Sequence, residues 1–196
     1  MGTDIHGTLE YRRQETWSGL DDGWSLARNY YLFSLLANVR GKDALYSPRG
    51  FPRDAADNAS EQYWVVVAEN QEEASRHPNW VPRARAESAV AAGHAEWQDA
   101  TQRLVSDGQW HTPSWLTTGE LRHILNRYDA TVARYYAARR AEEAARTERP
   151  APAYETMLAG WDNPPDLHPD WRILLGAMEA GEARGIPMRF IFWFDN

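Results

Sequence analysis

The segment Met188–Phe194, Met-Arg-Phe-Ile-Phe-Trp-Phe, constrains the fold of this chain more than any other. Its large apolar residues occupy both alternating sets of positions, so a strand formed here would be apolar on both faces. Such a strand must be covered by other elements on each side. The segment therefore predicts a central strand in a sheet that is packed on both faces.

Residues 4–12 predict a second strand, because apolar and polar side chains alternate there. The apolar set is Ile5, Gly7, Leu9 and Tyr11, and the polar set is Asp4, His6, Thr8 and Glu10. A strand places the two sets on opposite faces, which predicts one buried face and one polar face. A third run, Tyr63–Ala68, is rich in Val and predicts a buried strand.

Helical spacing of apolar residues predicts about four helices. The segments are Ala27–Val39, 84–105, the residues that follow Thr117, and Pro169 to about Ala183. Thr117 and Glu120 have the spacing of a capping box, which predicts the start of a long helix. Residues 137–152 begin rich in Ala, Arg and Glu and end at two prolines, which predicts a solvated helix extension followed by a linker.

These elements predict an α+β fold with a small mixed or antiparallel sheet that includes the N-terminal and C-terminal strands and packs with the helices. A length of 196 residues favours a single domain over 1–196. No apolar run approaches the ~20 residues of a membrane span, and no signal peptide begins the chain, so we expect a cytoplasmic protein. The net charge of −7 argues against non-specific binding to duplex DNA.

The absence of cysteine excludes thiolate chemistry, so a divalent metal would have to be bound by histidine and carboxylate. Asp4 and His6 lie two residues apart on one strand face, where they could bind such a metal, form an acid/base pair, or orient the imidazole. The alternative is a strand edge with a satisfied histidine. Spacing alone does not separate these two interpretations.

His111 and Ser114 precede the capped helix, and the sequence predicts that they lie in a loop at its N-terminus. Backbone N–H groups at such a position favour an anion, with Trp115 as a neighbouring aromatic contact. The alternative is that both residues only organise the entry into the helix. Ser114, with His6 or His111 and with Asp4 or Asp195, could also form a Ser-His-Asp triad, although the sequence lacks a nucleophile elbow.

Three arginines could bind phosphate if the fold brings them together. Arg28, followed by Asn29, belongs to the first predicted helical segment, Arg40 directly follows that segment, and Arg49 lies in the Pro- and Gly-containing loop 47–54. The prolines predict an ordered loop, and such loops often carry functional residues. Taken singly, each arginine has the alternative of a surface or structural role.

Five motifs resemble those of a family of uncharacterised proteins from phages and actinobacteria. The matching segments are Met1–His6, Arg28–Phe33, Pro48–Pro52, His111–Leu116 and Phe192–Asn196. The resemblance covers both ends of the chain and not its middle. It implies a functional rather than a packing role for the polar motif residues, and a phage setting implies interference with host nucleotide signalling.

A second resemblance is to two-histidine phosphoesterases, whose site uses two His-x-Ser/Thr motifs. His6-x-Thr8 matches the first motif, but Ser114 stands three residues after His111 instead of two, and no internal duplication is visible.

The sequence leads to two hypotheses of different classes. The first is a hydrolase or phosphoesterase-like enzyme for a small nucleotide-type anion, with His6 and His111 as acid/base groups or metal ligands and Asp4 orienting them. The expected ligand-binding residues are Arg28, Asn29, Arg40, Arg49, Ser114 and Trp115. The second is a non-catalytic binder that uses the same residues to sequester a nucleotide signal or to dock on a host protein.

Overall fold

A computed structural model of the chain describes residues 2–20, 24–76, 80–107, 110–145 and 167–195. These residues form nine strands and six helices. The strands are β1 Ile5–Arg13, β2 Thr16–Gly19, β3 Trp24–Leu26, β4 Trp64–Ala68, β5 Trp80–Pro82, β6 Ala95–Trp97, β7 Leu104–Asp107, β8 His111–Thr117 and β9 Met188–Phe194. The helices are α1 Tyr30–Ala37, α2 Asp57–Tyr63, α3 Gln71–Ala74, α4 Arg83–Ala91, α5 Thr118–Ala145 and α6 Pro169–Glu182. The α+β class is confirmed.

The first sheet has the order β2-β1-β9-β8, with β3 also paired to β1, and all of its pairings are antiparallel. Strand β9 lies between β1 and β8, and all seven of its residues are buried. The prediction of a central strand covered on both faces is therefore confirmed. Because β9 runs antiparallel to both neighbours, its C-terminal end lies beside the N-terminal ends of β1 and β8.

One face of this sheet packs against α1, α5 and α6. Phe190, Phe192 and Phe194 of β9 lie on that face together with Ile5 and Leu9 of β1. Gly7 lies between these two β1 residues, where a Cβ atom would come 2.3 Å from the ring of Phe190. A glycine at this position of the apolar set is therefore required by the close approach of the aromatic ring.

The predicted start of the long helix is confirmed in detail. The Thr117 hydroxyl accepts the backbone N–H of Glu120 at 3.4 Å, and the Glu120 carboxylate accepts that of Thr117 at 2.9 Å. Helix α5 continues to Ala145, which confirms the first part of the extension predicted from residue 137. The predicted linker with its two prolines lies outside the described residues. The helix predicted from Pro169 is confirmed as α6.

The helix predicted over 84–105 is wrong beyond its first part. Helix α4 ends at Ala91, and Gly93 follows with a φ of +74°. Trp97 and Leu104 belong to β6 and β7, which form a second sheet of order β5-β4-β7-β6. The Asp99 carboxylate accepts the backbone N–H of Arg103 at 3.0 Å and organises the turn between these strands. The apolar spacing that looked helical is produced by a hairpin that packs beside α4.

The predicted loop at His111 and Ser114 is also wrong. Both residues belong to β8, so His111 is separated from the first turn of α5 by the length of a strand. The pairing with β9 shifts register between His111 and Ser114, and Thr112 has a φ of +51°. Left-handed backbone is unfavourable for a β-branched residue, so this irregularity is a strained start to the strand.

Within the described ranges, no helix has the length and apolar character that crossing a bilayer would require.

Candidate active site

The site forms where the N-terminal end of β1 meets the C-terminal end of β9. His6 pairs with Trp193 in the sheet register, and Asp195 directly follows β9. The imidazole Nε2 of His6 lies 3.0 Å from Oδ2 of Asp195. The other carboxylate oxygen accepts the backbone N–H of Asp4 at 2.8 Å, while the Asp195 N–H donates to the Asp4 carbonyl at 3.2 Å. Main-chain contacts thus fix the carboxylate that holds His6.

The protonation state of this pair follows from its surroundings. Burial raises the pKa of Asp195, but hydrogen bonds from His6 and the Asp4 N–H, with the charges of His6 and Arg28, bring it below its usual value. An ionised carboxylate only accepts hydrogen bonds, so Nε2 of His6 carries the proton. Its Nδ1 has no hydrogen-bond partner among the described residues. The His6 side chain is 40% exposed, so the imidazole is accessible to solvent.

An aromatic cluster adjoins His6 and connects the two sheets. Its members are Phe51, Tyr63, Trp64, Trp110 and Trp193. The His6 ring stacks on Trp193 at a centroid distance of 6.3 Å, and Trp110 lies 5.8 Å from the same indole. Trp193 is 1% exposed, and its Nε1 lacks a hydrogen-bond partner in the described part of the chain. Trp110 is half-buried.

The phenol of Tyr63 lies within this aromatic cluster. Burial, followed by the negative charge of Glu96, raises its pKa. The hydroxyl therefore stays protonated and can donate a hydrogen bond over the whole neutral range.

Asp4 does not orient His6 as the sequence predicted. Its side chain instead binds Arg28 through two parallel hydrogen bonds, from Nε at 2.8 Å and from Nη2 at 2.7 Å. His6 and Asp195 form a dyad, and only the main chain of Asp4 supports it, through the hydrogen bond from the Asp4 N–H to the Asp195 carboxylate. The sequence had left Asp4 and Asp195 as alternative partners of a histidine, and the structure pairs Asp195 with His6.

Arg40 also lies against the N-terminal segment. Its Nε donates to the Thr3 hydroxyl at 2.9 Å, and its guanidinium lies 5.7 Å from the centroid of the Tyr30 ring. Asn29 is buried beside these residues and acts as the N-cap of α1, where its side chain accepts the Leu32 N–H at 3.0 Å. The Asn29 side chain thus has a structural role as a helix cap, and its predicted contact with a ligand stays a prediction.

Arg49, Ser114 and Trp115 form a second group beside β8, at the edge of β9 opposite to β1, and Trp115 packs against the aromatic cluster. Arg49 binds both carboxylate oxygens of Glu120 and stacks 4.3 Å above the Trp115 ring. Its backbone N–H donates to the Ser114 hydroxyl at 3.2 Å. Ser114 is 3% exposed and has no contact with the His6–Asp195 pair, so the structure does not assemble a Ser-His-Asp triad from these described residues. The group fixes loop 47–54 to β8 and α5.

His111 and His6 do not lie together. His111 stacks on Phe194 at 5.9 Å, whereas His6 stacks on Trp193. Consecutive residues of a strand project to opposite faces, so the two imidazoles lie on opposite sides of β9. Nδ1 of His111 contacts the Thr112 hydroxyl at 2.9 Å, and its buried Nε2 has no partner within the described ranges.

The candidate metal ligands are likewise dispersed. Among the residues that the structure describes, no three His, Asp or Glu side chains gather in a way that could hold a metal ion. Asp4, His6 and His111 therefore do not form a ready metal centre.

A buried ion pair on the same face of β1 as His6 was missed at the sequence level. Arg189 of β9 donates to Glu10 at 2.6 Å and to Asp54 at 2.8 Å, and its guanidinium lies 4.0 Å from the Trp17 ring. Burial raises the pKa of Glu10, against the lowering effects of the Ala56 N–H and of Arg189. The sequence signal for this pair was Arg189 itself, an arginine inside an otherwise apolar segment. In the sheet it lies opposite Glu10 of β1.

Comparison with protein-family models, curated proteins and solved structures gave no significant match, so the family resemblance remains a prediction. The site has to be interpreted from its own chemistry.

Proposed function

We propose that this protein is a hydrolase for a nucleotide-type phosphoester, in which His6 is the general acid/base and Asp195 positions it. The observation that carries the proposal is the 3.0 Å contact between Nε2 of His6 and the Asp195 carboxylate. That contact assigns the proton to Nε2 and leaves Nδ1 as a base on a partly exposed side chain. General acid–base catalysis requires this combination of orientation, basicity and access.

In the proposed reaction, Nδ1 of His6 takes a proton from a water molecule as its oxygen attacks phosphorus. The ester P–O bond breaks, and the imidazolium returns the proton to the departing oxygen. Asp195 stabilises the transient positive charge on His6 through the Nε2 hydrogen bond. Water is thus added across the ester bond with no redox step.

The class of substrate is inferred from the surroundings of His6. The half-buried ring of Trp110 offers a surface on which a planar base can stack, and such stacking stabilises binding by ~1–3 kcal/mol per base. Arg28 and Arg40 lie against the N-terminal segment, where guanidinium groups suit phosphate. A nucleotide combines a planar ring with phosphate, so it matches both features.

A non-catalytic binder is the second candidate, and a specific observation favours it. Arg28 and Arg49 are each paired with a carboxylate, and Ser114 is directed to Arg49 rather than to His6. A site with a base but without a second activating group suits retention of a ligand as well as its hydrolysis. The binder would sequester a nucleotide signal of a phage host, as the family resemblance implies, or dock on a host protein.

The two candidates are separated by incubating the full chain with nucleoside mono-, di- and triphosphates and cyclic dinucleotides. The protein is then heat-denatured, and the released compounds are identified by chromatography. An enzyme yields altered ligand, and His6→Ala or Asp195→Asn lowers the rate by about 10²- to 10⁴-fold. His123→Ala is the matched control, because the His123 ring is bonded to Tyr46 and not to His6 or Asp195.

Each remaining outcome assigns a different function. Stoichiometric recovery of intact ligand supports the sequestering binder and rules out the hydrolase. Turnover that survives both His6→Ala and Asp195→Asn shows that the dyad is not the catalytic group. Failure to bind any nucleotide leaves docking on a protein as the remaining candidate, to be tested by capture of a defined partner.

A further inference from the structure

Arg28 is the arginine best placed to hold an anion beside His6. It binds the side chain of Asp4, whose backbone N–H donates to Asp195, the carboxylate that contacts His6. Its guanidinium also packs close to Gly2, since a Cβ atom on that residue would come 2.1 Å from Nη1. The guanidinium presents one edge, formed by Nε and Nη2, to the carboxylate of Asp4, two residues before His6 in the chain.

That edge is occupied by Asp4. A carboxylate and a phosphate place two oxygen atoms on an arginine fork in the same way, so the side chain of Asp4 stands where two phosphate oxygens would bind. About half of each side chain is exposed to solvent, 46% for Arg28 and 51% for Asp4. An exposed ion pair of this kind contributes little to the stability of the fold. Replacement of the Asp4 carboxylate on Arg28 by another anion therefore requires little free energy.

We propose that Arg28 is the phosphate-binding residue of the site, and that Asp4 occupies it as an internal substitute until a phosphate group displaces it. The inference rests on the proposed function, because it assigns the anion subsite of the same substrate. A phosphate dianion has more charge and one more terminal oxygen than a carboxylate, so it competes well for a guanidinium. Asp4 would then act through Arg28 on affinity, and not on the basicity of His6.

Arg49 provides the contrast that makes this assignment specific. Its partner Glu120 has only 18% of its side chain exposed and also accepts the Thr117 N–H, so that carboxylate is held by the helix cap. The Arg49 guanidinium is further covered by the Trp115 ring. Displacing Glu120 would break the capping box, so we assign Arg49 a structural role and Arg28 the ligand.

The test measures binding of inorganic phosphate at constant ionic strength, followed by NMR of the histidine ring signals and by ³¹P NMR. Asp4→Asn removes the competing charge while keeping the side-chain shape, and we expect it to tighten phosphate binding roughly two- to fivefold. Arg28→Lys keeps the charge without the fork and should weaken binding. The double variant Asp4→Asn/Arg28→Lys should lose the gain of the single one.

A matched control is available on the second sheet. Glu69 binds Arg83 through the same Nε and Nη2 edge, at 3.2 and 2.8 Å, and Glu69 is also exposed. Glu69→Gln therefore releases an arginine and removes one negative charge without touching the site. Equal tightening by Glu69→Gln and Asp4→Asn would show a general charge effect and overturn the proposal.

The remaining results are also decisive. Unchanged or weaker phosphate binding by a folded Asp4→Asn protein, or no phosphate binding by any variant, overturns the assignment of Arg28. The proposed hydrolase fails separately, through absence of turnover or turnover that does not depend on His6. Phosphate binding at Arg28 without turnover would therefore preserve this inference while refuting the proposed function.

Discussion

Replacing Arg189 by Met tests how the sheet face that carries His6 is held together. The Glu10 side chain is fully buried, and only 4% of the Arg189 side chain is exposed, so the substitution leaves a buried carboxylate without its cation. Breaking a buried pair in this way costs about 3–5 kcal/mol. For a chain of this size each kcal/mol corresponds to about 2–4 °C, so the Tm should fall by roughly 6–20 °C. Thermal and urea denaturation measure both quantities.

The dependence of this loss on pH gives a second, independent check. Burial raises the pKa of Glu10 in the folded protein, so ionisation of Glu10 is harder in the folded state than in the unfolded one. Stability from this group therefore falls as pH rises from the unfolded value through the folded one. Without Arg189 the folded pKa rises further. Arg189→Met should thus lower the free energy of unfolding less at about pH 5 than at about pH 8, where the unpaired charge of Glu10 must be buried.

Two companion variants test the energetic role of the buried pair between Glu10 and Arg189. The double variant Glu10→Leu/Arg189→Met removes both charges and should recover most of the lost stability. Arg122→Met breaks the exposed pair with Glu179 and should cost about 0–1 kcal/mol. A loss for Arg189→Met no larger than for Arg122→Met, or a loss equal at both pH values, would refute the role given to the buried pair.

Three further changes have definite expected outcomes in equilibrium denaturation. Thr117→Ala removes the capping hydroxyl of α5 and should cost about 1 kcal/mol, whereas Ser88→Ala, in α4, serves as a control without a cap. Gly7→Ala places a methyl group against the Phe190 ring and should cost about 1–3 kcal/mol, and no loss would contradict the close approach. Because the folded pKa of Asp195 is lowered, its stabilising effect is present above the usual Asp range and is lost as pH falls through the folded value; Asp195→Asn should flatten that acid limb.

Local sequence patterns correctly predicted several elements of the fold. The alternation of apolar and polar residues around His6 predicted the strand β1. The largely apolar segment Met188–Phe194 predicted its buried neighbour β9. Thr117 and Glu120 gave the start of α5, because a capping box satisfies backbone N–H groups within one turn. In each case the interactions that decide the structure connect residues close in sequence or repeat with a fixed period.

The candidate site depends on contacts that no local pattern contains. His6 and Asp195 are 189 residues apart in sequence, and only the pairing of β1 with β9 brings them together. Asp4 was the nearer carboxylate and seemed equivalent by spacing, yet its side chain points to Arg28. The hairpin of β6 and β7 was not predicted, because its apolar residues also fit a helical period. Gly93 was the local signal against a helix there.

The arginines show how burial separates residues that the sequence treats alike. Arg28 and Arg49 each bind a carboxylate through two nitrogens, so their pairs have the same chemistry. What differs is the anion, because Glu120 is shielded and shared with a helix cap, while Asp4 is exposed and bound by its side chain to Arg28 alone. An arginine can exchange its partner only where the partner can return to water at little cost. Asp4 meets this condition, and Glu120 does not.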